Sequence, residues 1–233
     1  MLTRQLSRLK VGMIDAGFWI EGAVFSKEEC DDLIASLSIG YGRHGRAGAR
    51  HLMAAPQVRA WAQDERLLRI ARRALGAGAV PFRATLFVKS ARANWLVVWH
   101  QDTALPLESR IQSPEWGPWS QKAGILYAHA PAWALSRVLA LRVSLDASTI
   151  ENGPLRVIPG SHTAGVLSDE EVFRLARTQE GTPCLVDRGA VLAMRPLLIH
   201  CSSKARADHP RRVLHIEYAE TLDLGSGIRL AIA

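Results

Sequence analysis

The sequence is poor in the features that mark secreted, membrane and disulfide-stabilised proteins. It has only three cysteines, Cys30, Cys184 and Cys201, and no CxxC pair. Because these thiols are widely spaced and odd in number, they argue against a disulfide framework and favour a reducing cytoplasm. No apolar run approaches the ~20 residues of a membrane helix, and the first residues lack the apolar segment of a signal peptide. We therefore predict a cytoplasmic protein that does not enter a membrane.

The composition is that of an ordinary globular protein. Of the 233 residues, 48% are hydrophobic and 22% are charged, which excludes a disordered chain and leaves room for one domain over 1–233. Lys and Arg outnumber Asp and Glu by 29 to 22, so the net charge is +7. A basic protein favours anionic partners, but no long basic run is present, and this disfavours a nucleic-acid surface. A small-molecule partner is the better prediction.

The first third of the chain has the spacing of helices. Ser26 and Glu29 form a capping-box pattern, and the apolar residues that follow recur at helical spacing until Gly40. A second helix is predicted at about 57–75. Between the two helices, residues 41–51 are rich in glycine and arginine and are predicted to form a mobile loop.

The rest of the chain favours short strands, with one more helix that Ser168 and Glu171 cap. Residues 103–135 are rich in Pro, Trp, Gly and Ser and show no clear period, so they are predicted to form a lid-like loop. The fold class is therefore mainly β with flanking helices: a helical part at about 1–78 and a double-sheet jelly-roll core at about 80–220. The strands are predicted at 82–89, 95–100, 138–146, 154–158, 183–186, 190–194, 197–201 and 212–219.

The motif Trp99-His100-Gln101-Asp102 carries the most chemical information. Residues two apart on a strand point to the same face, so His100 and Asp102 can bind one ion together. The apolar residues before them indicate a buried strand, where an unpaired carboxylate costs several kcal/mol unless it binds a metal or a cation. His200 ends a second apolar run. Two histidines and one carboxylate leave coordination positions open, which suits a non-haem Fe(II) that also binds a cosubstrate and O2.

The other histidines do not have a carboxylate at strand spacing. They are interpreted as loop, core or substrate-facing residues: His44, His51, His129, His162, His209 and His215. Arg211 and Arg212 enter a strand together, so one of them should point inward, where a guanidinium can bind a carboxylate through two hydrogen bonds. Arg142 lies in an apolar strand and requires an anion if it faces inward; an orientation towards solvent stays open.

Taken in order along the chain, these motifs resemble the phytanoyl-CoA dioxygenase family of Fe(II)- and 2-oxoglutarate-dependent oxygenases, in its bacterial branch. The resemblance rests on GFWIEGAVFSKEECDDLI (17–34), WHQD (99–102), ENGPLRVIPGSH (151–162), His200 and Arg211, and covers roughly residues 17–219. It implies a double-stranded β-helix in which His100, Asp102 and His200 are the iron ligands and the catalytic centre. It also implies that Arg211, not Arg212, binds the distal carboxylate of 2-oxoglutarate. Further cosubstrate contacts are implied at Thr85, Gln101, Arg142 and Ser202.

The function implied by this resemblance is hydroxylation of a C–H bond with O2 and 2-oxoglutarate, which releases succinate and CO2. The substrate is expected to be a small polar or anionic metabolite, since Arg43, Arg46 and Arg50 lie together in the early loop. Two alternatives stay open. One is a metal-binding jelly-roll sensor without catalytic activity, and the other is a nucleic-acid demethylase on the same scaffold.

Overall fold

A computed structural model describes residues 15–41, 48–90, 93–207 and 209–233. The helices in these ranges are α1 (Lys27–Tyr41), α2 (Pro56–Ala62), α3 (Glu65–Leu75), α4 (Ala132–Leu135) and α5 (Asp169–Thr178), with 3-10 turns at Leu52–Ala54, Ile150–Asn152 and Ser161–Ala164. The strands are β1 (Phe18–Glu21), β2 (Gly48–Ala49), β3 (Val80–Lys89), β4 (Val97–His100), β5 (Ala104–Leu107), β6 (Trp119–Lys122), β7 (Ile125–His129), β8 (Val138–Ser144), β9 (Leu155–Val157), β10 (Thr182–Cys184), β11 (Val191–Met194), β12 (His200–Ser202), β13 (Arg211–Ala219), β14 (Asp223–Gly225) and β15 (Ile228–Arg229).

Two antiparallel sheets form the centre of the fold. The larger has the strand order β1-β11-β8-β13-β3-β2, and the smaller has the order β10-β9-β12-β4. One apolar cluster joins their inner faces, with Ala140 and Leu192 from the large sheet and Leu155 and Val157 from the small one. Two antiparallel sheets packed in this way form a double-stranded β-helix, so the predicted jelly roll is confirmed.

The outer face of the large sheet packs against the helices. Along β13, Leu214, Ile216 and Tyr218 belong to the main apolar cluster, together with buried residues of α1, α2 and α3. Because side chains alternate along a strand, Val213 and His215 point to the opposite face, into the space between the sheets. This alternation places the polar side chains of β13 inside the barrel.

A hydrogen bond fastens the helical layer to this sheet. The Tyr218 hydroxyl donates to the Ala62 carbonyl at 2.8 Å, and Ala62 is the last residue of α2, where helix carbonyls lack an intrahelical partner. Tyr218 is completely buried. We expect Tyr218→Phe to lower the free energy of unfolding by about 1 to 2 kcal/mol, because the Ala62 carbonyl loses the hydroxyl that donates to it. Urea unfolding measures this, and an unchanged free energy would contradict it.

The two predicted helix caps are confirmed, but the helix expected at about 57–75 is two helices. The Ser26 and Ser168 hydroxyls accept from the backbone N–H groups of Glu29 and Glu171 at 3.2 and 3.3 Å. The predicted second helix is interrupted at Asp64, whose carboxylate accepts the Arg66 N–H at 2.8 Å and caps α3. Aspartate favours this capping position over a helix interior, which explains the break.

The two predicted loops contain strands. Residues 103–135 are not a structureless lid: β5, β7 and β6 form a three-stranded sheet, and α4 follows it. In the early loop, Gly48–Ala49 pairs with β3, while 42–47, with Arg43 and Arg46, lie outside the described residues. In the described ranges, no helix combines the length and the apolar character needed to cross a lipid bilayer.

Candidate metal centre

The pairing of β4 with β12 builds the predicted triad. His100 and His200 are direct partners across these antiparallel strands, and their ring centroids lie 4.2 Å apart. Asp102 lies two residues beyond the end of β4, where its backbone N–H donates to the Pro196 carbonyl at 3.0 Å. One ligand atom from each of the three side chains lies within 4.8 Å of the others. The structure therefore brings together the three residues that the sequence predicted.

Backbone hydrogen bonds fix the orientation of both imidazoles. His100 Nδ1 lies 2.8 Å from the Val98 carbonyl and His200 Nδ1 lies 2.8 Å from the Leu198 carbonyl, so each Nδ1 must carry the proton. The Nε2 atoms face the Asp102 carboxylate at 3.7 and 3.6 Å. Ligating histidines are commonly held in this way by the second ring nitrogen. The donor set, two nitrogens and one carboxylate, fits a divalent transition metal.

The charges around the triad favour its metal-binding protonation states. Desolvation raises the pKa of Asp102, but the nearby His200, His100, His215 and Arg83 outweigh it and lower the pKa below its usual range. Burial lowers the pKa of His200 to about 4, although Asp102 opposes this. At neutral pH the carboxylate is therefore ionised and the imidazole is neutral, which are the forms that bind a metal ion.

Three buried cations lie in the barrel near the triad. Lys89, Arg142 and Arg211 are 2%, 9% and 6% exposed. Among the described residues, none of the three has a carboxylate oxygen within 4.0 Å; they contact neutral groups instead. Lys89 donates to the Ser202 hydroxyl at 2.7 Å, and Arg211 donates to the same hydroxyl at 3.4 Å and to the Asn152 carbonyl at 3.2 Å.

Burial and mutual repulsion depress the pKa of these cations. Desolvation, followed by the charge of Arg142, lowers the pKa of Arg211 to about 10. Desolvation, followed by Arg211, lowers the pKa of Lys89 to about 8. Buried charges without counter-ions are costly, so an anion that enters this part of the barrel is stabilised.

Arg142 is the first member of a buried hydrogen-bonded chain. It donates to His215 Nδ1 at 3.0 Å, and because arginine cannot accept, His215 carries its proton on Nε2 and donates to Glu217 at 3.1 Å. Glu217 also pairs with Arg83. The orientation left open by the sequence is therefore settled: Arg142 faces inward, and His215 is a hydrogen-bonded core residue as predicted.

The other predicted cosubstrate residues occupy different environments. Ser202 lies between Lys89 and Arg211 and donates to the Gly153 carbonyl at 2.8 Å. Thr85 is buried and lines a cleft beside Asp102. Gln101 donates both amide hydrogens to the Gly165 and Leu197 carbonyls and accepts from the Leu167 N–H, so its contact with a cosubstrate stays a prediction.

The alternation predicted for Arg211 and Arg212 is confirmed. Arg211 points into the barrel, whereas Arg212 points outward and forms two hydrogen bonds with the Asp146 carboxylate at 2.7 and 2.8 Å. Lys89 is the residue that the sequence analysis missed. It is the Cα partner of Arg211 and lies on the same face of β3 as Thr85 and Phe87, so strand alternation was the signal that would have found it.

Comparison with known proteins gives both a family and related folds. A sequence model described as Phytanoyl-CoA dioxygenase (PhyH) matches residues 40–213. No curated protein matches the sequence. The structure resembles AviO1 from Streptomyces viridochromogenes Tue57, with a TM-score of 0.63 and 23% identity over 88% of this chain and 90% of that chain.

Two further solved structures share the fold. EctD from S. alaskensis has a TM-score of 0.67 and 22% identity, over 91% of this chain and 76% of that chain. HygX from Streptomyces hygroscopicus, solved with nickel and 2-oxoglutarate bound, has a TM-score of 0.65 and 18% identity, over 91% of this chain and 85% of that chain. At these identities the likeness concerns the fold.

Proposed function

This chain belongs to the phytanoyl-CoA dioxygenase family, and from that premise we propose that it is an Fe(II)- and 2-oxoglutarate-dependent dioxygenase. The reaction proposed is hydroxylation of a C–H bond in a small polar or anionic metabolite, with release of succinate and CO2. The observation that carries the proposal is the triad of His100, Asp102 and His200 with both Nε2 atoms turned towards the carboxylate, beside buried cations that have no counter-ion among the described residues.

The proposed metal ligands are His100, Asp102 and His200. Among the described residues, no fourth His, Cys, Asp or Glu joins this group, so the protein leaves coordination positions for a cosubstrate and O2. HygX and EctD, which share the fold, have both been crystallised with iron. When bound, the iron supplies the oxygen chemistry, and the protein supplies position and charge.

The proposed site for the distal carboxylate of 2-oxoglutarate lies between Arg211, Lys89 and Ser202. Two cations and a hydroxyl converge there, and the planar guanidinium of Arg211 suits a carboxylate. Arg142, with its pKa lowered by burial, adds positive charge on the same side of the barrel. Thr85 and Gln101 stay proposed contacts of the cosubstrate. For Gln101 the support is weaker, because its amide is already hydrogen-bonded to the backbone.

The protein side chains also orient the cosubstrate and the substrate relative to the triad. Arg211 and Lys89 hold one end of the dicarboxylate, which directs its other end towards the triad. The substrate enters the cleft of about 320 Å³ that Asp102 lines, with β3 on one side and the β5-β7-β6 sheet on the other. Lys89 and Arg211 do not line this cleft, so different cations would orient the cosubstrate and the substrate beside the triad. The three cysteines are buried and free, in keeping with the proposed cytoplasmic location.

Anaerobic binding of 2-oxoglutarate to the Fe(II)-loaded protein tests the proposal. Chelation of iron by the 2-oxo acid gives a visible charge-transfer band, which we expect in the wild type and not in His100→Ala. Under air, the wild type should release succinate when a substrate is supplied. Folded, iron-loaded protein that shows no band would overturn the cosubstrate assignment and favour the jelly-roll sensor.

The affinity for 2-oxoglutarate should fall as the pH rises from 7 to 9. The dianion binds the protonated form of Lys89, whose pKa of about 8 in the free protein means that the proton is lost across this range. The dissociation constant should therefore rise by about tenfold. The groups facing Lys89 do not titrate there, because the pKa of Arg211 is about 10 and burial raises that of Cys201 to about 11.

Lys89→Arg is the matched control, since a guanidinium keeps its charge throughout this pH range. Calorimetric titrations at several pH values compare the two proteins. An identical pH dependence in wild type and Lys89→Arg would show that Lys89 does not contact the cosubstrate.

A further inference from the structure

The cleft beside the triad is strongly basic. Arg50, Arg83 and Lys122 line it, and Asp102, a proposed metal ligand, is the only carboxylate among its described lining residues. Arg50 follows β2, Arg83 lies on β3, and Lys122 ends β6, so three separate elements bring these cations together. The chain segments outside the described ranges contain one acidic residue, Asp208.

Of the three cations, Arg83 has a partner for its charge, whereas Arg50 and Lys122 have none among the described residues. Arg83 pairs with Glu217 and donates to the Ala104 carbonyl at 2.9 Å. Arg50 and Lys122, in contrast, form neither an ion pair nor a side-chain hydrogen bond with any described residue. Lys122 Nζ lies 4.9 Å from the centre of the Tyr127 ring, which places the ammonium over an aromatic wall of the cleft.

Tyr127 lines the cleft, and His51 lies behind it as an uncharged neighbour. The Tyr127 hydroxyl lies 2.8 Å from His51 Nε2. Burial, then Arg50, Arg83 and Lys122, lower the pKa of His51, so it is uncharged at neutral pH. Burial, then Arg50 and Arg83, also lower the pKa of Lys122. The cations therefore repel one another across the cleft, and an anion between them would relieve this repulsion.

We propose that the substrate carries an anionic group, a carboxylate, sulfate or phosphate, which Arg50 and Lys122 bind in this cleft. The proposal rests on the proposed oxygenase function, because Asp102 lines the same cleft and the C–H bond that reacts must lie near the metal. Its cations differ from those of the 2-oxoglutarate site, because Lys89 and Arg211 do not line the cleft, although the proposed cosubstrate contacts Thr85 and Gln101 do. The anion sets the orientation of the substrate, and the rest of the molecule reaches the triad.

Calorimetric titration of the anaerobic Fe(II)- and 2-oxoglutarate-loaded protein tests the proposal, with acetate, sulfate and inorganic phosphate as probes at constant ionic strength. We expect at least one of them to bind with 1:1 stoichiometry. Lys122→Met and Arg50→Met should each weaken that binding by about tenfold or more, because each removes a charge-assisted contact. Both residues are exposed, so the variants should fold normally. Arg69→Met, which removes an exposed cation outside the cleft, is the matched control.

The titration separates failure of this proposal from failure of the proposed function. The anion subsite would be overturned if Arg50→Met and Lys122→Met bound the probes as tightly as the wild type, or if no probe bound at all. In either case the charge-transfer band would still support the oxygenase. Weaker 2-oxoglutarate binding in Lys122→Met would also overturn it, since the cleft cations would then serve the cosubstrate. Absence of the band in every protein would instead refute the proposed function.

Discussion

Replacing Asp102 with alanine is expected to abolish 2-oxoglutarate turnover and to weaken Fe(II) binding by more than about 100-fold. Loss of a residue that only supports a metal ligand typically costs 10- to 100-fold, and here the single anionic ligand of the triad is removed. Asp102 lies 3.7 and 3.6 Å from the two imidazole Nε2 atoms, and no other described carboxylate belongs to this cluster. Competition with a chromophoric chelator measures the affinity, and succinate release measures turnover.

Two further variants sharpen this result. Asp102→Asn keeps the shape and one oxygen donor but removes the charge, so its iron affinity should lie between those of wild type and Asp102→Ala. Asp187→Ala removes an exposed aspartate elsewhere and should behave as wild type. Iron affinity in Asp102→Ala within threefold of wild type would show that the carboxylate is not a ligand.

Arg211→Met should raise the dissociation constant of 2-oxoglutarate by at least about 30-fold. Truncating one partner of a buried, hydrogen-bonded charge pair costs roughly 2 to 5 kcal/mol, and 2 kcal/mol corresponds to this factor. Arg211 is 6% exposed, so water cannot replace it. At a 2-oxoglutarate concentration of about 100 times the wild-type dissociation constant, the ligand stabilises the wild type by about 2.7 kcal/mol and should stabilise the variant by less than about 0.9 kcal/mol.

Its neighbour provides the control for Arg211. Arg212→Met removes an arginine one position away that points outward and pairs with Asp146. This variant should lose stability but keep its affinity for 2-oxoglutarate. Thermal unfolding with and without the ligand separates the two effects. Equal ligand-induced stabilisation of wild type and Arg211→Met would remove Arg211 from the cosubstrate site.

The fold was predictable wherever the local pattern and the tertiary environment agree. The caps at Ser26 and Ser168, the long apolar strands and the jelly-roll class were all predicted, because each depends on residues close in sequence or on burial of a whole strand. The hairpin of β6 and β7 was missed. Its turn, Ala123-Gly124, has positive φ at both residues, but alanine at such a position is no turn signal, so the tertiary context decides it.

The candidate site was predictable in its ligands but not in its electrostatic surroundings. His100 and Asp102 are two residues apart, and a conspicuous apolar run leads to His200, so local sequence pointed to all three. Alternation along β3 could have placed Lys89 on the same face as Thr85, but its position opposite Arg211 follows only from strand register, as does the position of Lys122 on β6, which pairs with β7 and Tyr127. The strand pairings themselves join residues far apart in sequence, so a local sequence pattern does not predict them.

The hairpin of β6 and β7 carries Lys122 and Tyr127, yet its sheet shares no paired strand with either sheet of the barrel. The pairing of His100 with His200, in contrast, depends only on β4 and β12. Sequence changes on β6 therefore leave the two histidines in register, whereas β7 is tied to the segment after Asp102, because His129 Nδ1 lies 2.7 Å from the Thr103 hydroxyl. In the proposed anion subsite, Lys122 orients the substrate from a sheet that carries none of the proposed metal ligands, so substitutions on β6 are a direct route, for evolution or for a protein engineer, to a new substrate.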